Sequence, residues 1–316
     1  MGGQSVGQAL PGATEPHVDG GCVNPQHFCD LGGNNEIVQR ELGLHEQAKR
    51  QGVTLVPDCG LAPGLVSVLA AHGIARLTEV DRVRIRVGGL PVKPQPPLNY
   101  QLVFSVHGLI NEYVEPCTKL RDGRIIEEEP LTDVEQLEFP SPFGKLEAFN
   151  TSGGTSTLPQ TFRGQVPQLD YKTIRYPGHC AQFKLLLDLG LMDRQPQKLG
   201  AAKVVPRDLL ASLLTAKLPQ DGKDCVLVRV VVEGRRNGIA HRVQYQIIDY
   251  GEAALAITAM MRMTAYPISV IAQMLSAGEI PVKGAIPQEL GVPAEKFIAE
   301  LKKRGIGIEI TETEGT

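Results

Sequence analysis

Two short apolar runs end in glycine turns: Phe28-Cys29-Asp30-Leu31-Gly32-Gly33-Asn34, and Val53-Thr54-Leu55-Val56-Pro57-Asp58-Cys59-Gly60, the second leading into Leu61-Ala62-Pro63-Gly64. Each puts an aspartate, Asp30 or Asp58, where a strand gives way to a turn. In open α/β sheets ligands bind at that carboxyl end of the strands. Either aspartate can therefore face a ligand, or it can cap the turn or helix that follows. Gly32, Gly33, Pro63 and Gly64 either only make tight turns or let the backbone approach a cofactor, and the two readings are compatible. Together the runs read as the last two strands of a dinucleotide-binding sheet.

Such a sheet opens with a strand, a G-x-G-x-x-G turn and a helix, followed ~20 residues on by an acid that holds the ribose. Residues 1–24 offer no such unit: Gly2-Gly3-Gln4-Ser5-Val6-Gly7 has neither an apolar strand before it nor a helical period after it. The chain therefore reads as the back half of a nucleotide domain without its phosphate-binding turn. Weak cofactor binding is expected, and residues 1–24 are expected to be poorly ordered, lacking apolar side chains to offset the entropy of ordering.

The elements that position these residues follow from periodicity. Ile37, Val38, Leu42, Leu44 and Ala48 recur at helical spacing between the two strands, giving a strand-helix-strand crossover. A second helix is predicted over residues 64–74. From Glu79 the texture alternates apolar and charged residues, as in a strand with one wet face. Beyond the proline-dense residues 91–97, strands are predicted at 100–105, 124–128, 136–139, 146–149 and 173–176, with helices at 180–187 and 207–216. Residues 225–232 and 243–248 form a late hairpin whose apolar edge invites pairing. Residues 252–275 read as helical and divided or kinked at Pro267, 294–303 as a helix, and 305–310 as a final strand. The predicted architecture is α/β. A partial Rossmann-like domain (residues 25–78 and 252–316) encloses an inserted α+β domain (79–251) for substrate and dimerisation.

Composition narrows the function. A net charge of −3 over 316 residues gives no electrostatic case for nucleic acid or an anionic membrane. The apolar stretch at 61–75 is interrupted and short of the ~20 residues that span a bilayer. No basic and apolar leader is seen, and six scattered cysteines without a C-x-x-C pair signal neither a zinc site nor a disulfide framework, so a reducing cytoplasm is the expectation. His107 and Cys59 have no motif partner for a nucleophilic dyad.

Five blocks in fixed order make a resemblance specific: Gly89-Leu90-Pro91, Pro97-Leu98-Asn99-Tyr100, Gly108-Leu109-Ile110-Asn111-Glu112-Tyr113, Lys145-Leu146-Glu147-Ala148-Phe149 and Thr173-Ile174-Arg175-Tyr176-Pro177-Gly178-His179. From about His27 onward the chain resembles the saccharopine dehydrogenase family, in its lysine 6-dehydrogenase-like branch. The resemblance implies oxidation at the C–NH bond of an amino acid by NAD or NADP, and a homodimer. No metal site is expected. The alternative is a non-catalytic amino-acid-binding or dimerisation remnant of the same family.

Hydride transfer needs a base, a dry site and a grip on the substrate. Asp58 and His179 are the candidate proton carriers, with a turn cap and a structural histidine as the plain alternatives. Arg175, at a strand end, is the candidate carboxylate clamp, against a surface ion pair. Glu112 is placed to bind the substrate ammonium, or else lies on a solvated helix face. Asn111, Tyr100, Thr151 and Ser152 complete the substrate candidates, with a dimer or core position as the equal alternative for Tyr100 and a flexible connection as the plainer one for the Thr151-Ser152 loop; Asp30, Gly32, Gly33, Pro63 and Gly64 are the cofactor candidates.

Overall fold

A computed structural model describes residues 26–315; the expectation of disorder for residues 1–24 lies outside them. Strand β1 (Phe28–Cys29) leads through helices α1 (Asn35–Gly43) and α2 (His45–Arg50) to β2 (Thr54–Val56) and α3 (Leu65–Ile74). The long β3 (Glu79–Pro91) follows, then α4 (Val106–Glu112), β4 (Cys117–Arg121), β5 (Arg124–Glu128), β6 (Glu135–Phe139) and β7 (Gly144–Asn150). Next come α5 (Leu158–Thr161), β8 (Gln168–Arg175), α6 (His179–Asp188), the small hairpin β9 (Gln197–Leu199) and β10 (Ala202–Val204), and α7 (Pro206–Lys217). The chain closes with β11 (Asp224–Arg236), β12 (Ile239–Tyr250), α8 (Ala259–Ser276), β13 (Gly284–Ala285), α9 (Gln288–Gly291), α10 (Ala294–Lys303) and β14 (Glu309–Glu314).

β1, β2 and β13 form a parallel three-stranded sheet in the order β1-β2-β13. The strand-helix-strand texture read from the sequence is thus a parallel crossover. A second, nine-stranded sheet runs β14-β12-β11-β3-β8-β4-β5, with β6 and β7 joined through β8. Its backbone is the alternation of β3, β11 and β12: Val83, Ile85, Val226, Val228, Val230, Val232, Val243 and Tyr245 are buried and pack with Leu65 and Leu69 of α3, Met263 and Val270 of α8, and Phe297 of α10. That shared core fixes the three-stranded sheet against the larger one.

Four expectations change. Residues 100–105 are not a strand. Prolines thin the backbone donors just before them, Asn99 has φ +49°, and the segment is held instead by Leu102 N–H donating to Pro219 and by the Gln101 side chain donating to Gly222. α8 starts only at Ala259 and runs unbroken past Pro267. Its start is fixed by Thr258, which accepts from Met261 N–H, and by Asp224, whose carboxylate accepts the N–H of Ala259 and Met260. Burial of Met263, Val270, Ile271 and Met274 outweighs the one backbone bond that proline removes. The late hairpin has no open apolar edge at Val243: β11 lies between β3 and β12, and β14 pairs with β12 from His241 to Gln246. The tail also divides. β13 joins the three-stranded sheet, whereas the final strand joins the large one.

Candidate active site

A cleft of about 240 Å³ opens between the two sheets. One wall is the turns after β1 and β2, with Leu31, Gly33, Gly60, Leu61, Ala62 and Pro63; the other carries Glu112 from the end of α4 and Tyr171, Thr173 and Arg175 from β8. Gly88 and Gly89 of β3 form the floor, with Phe104, Met260 and Thr264 beside them. Side chains two apart on a strand share a face. That period brings Tyr171, Thr173 and Arg175 together and sends Lys172 to the far side, where it pairs with Asp133 and Glu135.

The turn wall is built by glycine and by one buried carboxylate. Asp30 accepts N–H bonds from Gly32 at 2.8 Å and Asp58 at 3.0 Å, so its side chain caps the turn. Asp58 lies beneath Gly32, so close that a Cβ there would overlap its carboxylate. Asp58 is buried, has φ +61°, and accepts from the Ser156 hydroxyl. Burial pushes its carboxyl up to about 6, with the Ser156 bond opposing. It does not line the cleft, so the proton-carrier role expected of Asp58 has no exposed surface to act through. Gly64 has φ +126°, and a Cβ there would strike the backbone of Gly60, so a glycine closes this turn before α3. Gly33 differs, since its missing side chain faces open space at the cleft. One acid was not anticipated: burial and the neighbouring Asp30 push Glu41 of α1 up to about 8, behind the turn wall.

The opposite wall is polar and ordered. Arg175 is buried, its guanidinium carbon 4.9 Å from the centre of the Tyr100 ring. Its Nη1 donates to the carbonyl of Ile174 at 2.9 Å and its Nε to the Tyr113 hydroxyl at 3.2 Å. Nη2 lies 3.9 Å from Glu112 Oε2, beyond hydrogen-bond reach. The Glu112 side chain lines the cleft and is about a third exposed (31%), yet protein surrounds its carboxylate, and that burial pushes it up to about 7 against the pull of Arg175.

Behind Arg175 a relay fixes the guanidinium. His179 Nδ1 faces the carbonyl of Leu98 at 3.3 Å and Nε2 faces Tyr113 Oη at 3.0 Å. Burial, reinforced by Arg175, holds the imidazole down to about 3, so it is neutral. Nδ1–H then donates to Leu98, Tyr113 donates to Nε2, and Tyr113 accepts from Arg175. His179 is therefore a buried structural histidine outside the cleft, and the proton-carrier expectation is corrected by its burial. Tyr113 was legible only as one member of a polar cluster.

The remaining candidates form the layer that holds this wall. Thr151 Oγ1 bonds Thr173 Oγ1 at 2.6 Å, and Ser152 donates its backbone N–H to Glu112 C=O at 3.0 Å and its hydroxyl to Asn111 C=O at 3.4 Å. The Asn111 amide oxygen accepts from Arg207 at 2.5 Å, tying α4 to α7 rather than facing the cleft. Glu147, from one of the sequence blocks, accepts the N–H of Gly178 and Cys180 and so caps the start of α6. Of the sequence candidates, Gly33, Pro63, Glu112 and Arg175 reach the cleft. Among the described residues no cluster of histidine, cysteine and carboxylates could hold a metal, and no helix is long and apolar enough to cross a membrane.

Residues 60–306 match the family model described as the saccharopine dehydrogenase C-terminal domain. The chain belongs to the saccharopine dehydrogenase family. Among curated relatives, the mitochondrial alpha-aminoadipic semialdehyde synthase of Bos taurus is 27% identical over 163 residues, 48% of this chain and 17% of that protein. The saccharopine dehydrogenase [NADP(+), L-glutamate-forming] of Pyricularia oryzae is 24% identical over 165 residues, 49% of this chain and 36% of that protein. The matched stretches thus span well under half the length of these family members. In fold, the chain is similar to apo saccharopine dehydrogenase (L-Glu forming) of Saccharomyces cerevisiae, with TM-score 0.69 at 18% identity over 87% of this chain and 77% of that one. It is also similar to the homospermidine synthase of Legionella pneumophila in complex with NAD, with TM-score 0.60 at 14% identity over 90% and 70%. The Rossmann-like α/β character of the family is shared by the parallel sheet β1-β2-β13.

Proposed function

We propose that this chain serves an oxidoreductase reaction at the C–N bond of an amino acid, with a nicotinamide cofactor on the turn wall and the amino acid on the Arg175–Glu112 wall. The observation that carries the reading is one cleft that joins both walls at the carboxyl end of parallel strands. The turn wall fits a flat ring: Gly33 leaves open space, and Leu31, Leu61, Ala62 and Pro63 offer apolar contact without a charged group. A bound nicotinamide would supply a hydride acceptor or donor. The chain's own residues do the rest. Arg175 holds the substrate carboxylate, its fork fixed by Tyr113 and His179. Glu112, open to the cleft and pushed up to about 7, holds the substrate nitrogen or takes its proton near neutrality. Phe104, Met260 and Leu61 keep water from the reacting atoms. In this reading a homodimer would use a surface other than the β12 edge that β14 covers.

The test is a titration of the full chain with NAD+ and with NADP+, each with and without L-lysine or L-saccharopine, followed by absorbance of the reduced ring. The reading expects ternary binding and a pyridine-reduction signal that Arg175→Ala abolishes. Amino-acid binding without any cofactor interaction would support the binding-module reading instead; no binding of either ligand by folded protein would refute both.

A further inference from the structure

Resting on the amino-acid reading, we infer that the cleft is built for a substrate whose gripped end is a single zwitterion, one carboxylate beside one ammonium, with an uncharged chain beyond it, rather than for a substrate with several carboxylates. Only two oppositely charged side chains line the cleft among the described residues, Arg175 and Glu112. Their nearest atoms are 3.9 Å apart, too far to satisfy each other. Glu112 accepts no side-chain hydrogen bond from the described residues, and Arg175 spends only Nε and Nη1 on the protein. The pair is therefore incomplete in complementary senses: a guanidinium edge lacks an acceptor, and a carboxylate lacks a donor. An α-amino acid head carries both missing groups on one carbon.

The remaining walls offer no second cation to a further carboxylate. Val87, Leu61, Phe104 and Met260 are apolar, and Tyr171, Thr173 and Thr264 are neutral. The nearby cations are already committed on the far face of the sheet: Arg86 to Glu135 and Asp170, and Lys172 to Asp133 and Glu135. An additional carboxylate held inside the cleft would meet neutral hydroxyls or apolar surface, with Glu112 beside it and no cation to pair with, and a buried charge without a counter-charge is disfavoured. The same surface accepts a methylene chain at no such cost.

The experiment is calorimetric titration of the full chain at one pH with three probes: L-norleucine, which carries a zwitterion and an apolar chain; hexanoate, which lacks the ammonium; and L-saccharopine, which adds carboxylates. The inference expects L-norleucine to bind at least tenfold more tightly than either of the others, and Glu112→Gln to lower L-norleucine affinity to the hexanoate level. Thermal unfolding of the Glu112→Gln protein verifies that it is folded, and Glu112→Asp serves as a second variant that keeps the charge and should retain part of the preference. Tighter binding of L-saccharopine than of L-norleucine overturns the inference while leaving the amino-acid reading intact. Equal binding of hexanoate and L-norleucine overturns the ammonium contact. Failure of every α-amino acid to bind folded protein overturns the inference together with the reading it rests on.

Discussion

The two walls of the cleft each hold a carboxyl pushed well above its ordinary range, and they differ in what happens to it. On the turn wall, Asp58 is sealed under Gly32, with Ser156 donating to its carboxylate and Gln288 donating to its carbonyl. On the polar wall, Glu112 faces the cleft, and its nearest cation stops 3.9 Å short. Desolvation raises both. A shifted carboxyl marks a place for a ligand only when its partners are incomplete and a path to it is open; with its partners in place it is part of the scaffold.

The comparison breaks most visibly at Arg175. Arg175→Ala removes about two charge-assisted hydrogen bonds to a bound carboxylate, at ~1.5–3 kcal/mol each, so amino-acid affinity measured by calorimetry should fall by about a hundredfold or more. Arg175→Lys should not restore it, because a point charge cannot reproduce the fork. Next, Glu112→Gln should weaken an ammonium-bearing ligand by roughly tenfold while leaving an ammonium-free carboxylate unchanged, as for the loss of one charge-assisted bond. Smaller again is Tyr113→Phe. It strands the Arg175 Nε–H and the His179 Nε2 behind the cleft. Buried groups left unpaired cost ~1–3 kcal/mol, so chemical denaturation should register a loss of stability larger than the loss of affinity.

Asp58→Asn should change binding least. Its signature is in the pH dependence of folding. The Asp58 carboxyl sits at about 6 when folded against an ordinary value of 3.8. The folded state therefore holds its proton more tightly, a contribution fully present below about 4 and lost as pH rises through about 6. Denaturation curves across that window should flatten in Asp58→Asn while ligand affinity stays constant. A loss of affinity comparable to that of Glu112→Gln would erase the distinction between the walls.

Much of this was legible in the residues. The two Asp-Gly turns, the parallel crossover between them, β5, β8 and α10 follow from local periodicity, and the Arg175 block and the Asn111-Glu112-Tyr113 block located the polar wall. What was not legible depends on tertiary contacts. Residues 100–105 look like a strand because Tyr100, Leu102 and Phe104 alternate, yet no neighbouring strand takes their backbone bonds, and Tyr100 instead packs under Arg175. Pro267 suggests a break, yet α8 is held on both sides by core packing. His179 has the side chain of a proton carrier, and only its burial against Tyr113, Phe183 and Arg175 removes that role. The period-two companions of Arg175, Tyr171 and Thr173, were within reach of the sequence once β8 was extended toward its start.

The most direct test of the central claim, that Glu112 is the open acid of the site, is the affinity for L-norleucine measured by calorimetry between pH 5 and 8. Glu112 meets Arg175 and Tyr171 from β8, Tyr100 from the segment before α4, and Tyr113 at the end of its own helix, and of these groups only Glu112 titrates near neutrality. Binding an ammonium requires the ionised carboxylate, so affinity should be level above about 7 and fall below it toward the level of Glu112→Gln, about tenfold lower in all. Glu112→Gln should remove that slope. An affinity independent of pH in the unmodified protein, or a slope that survives in Glu112→Gln, would contradict the account.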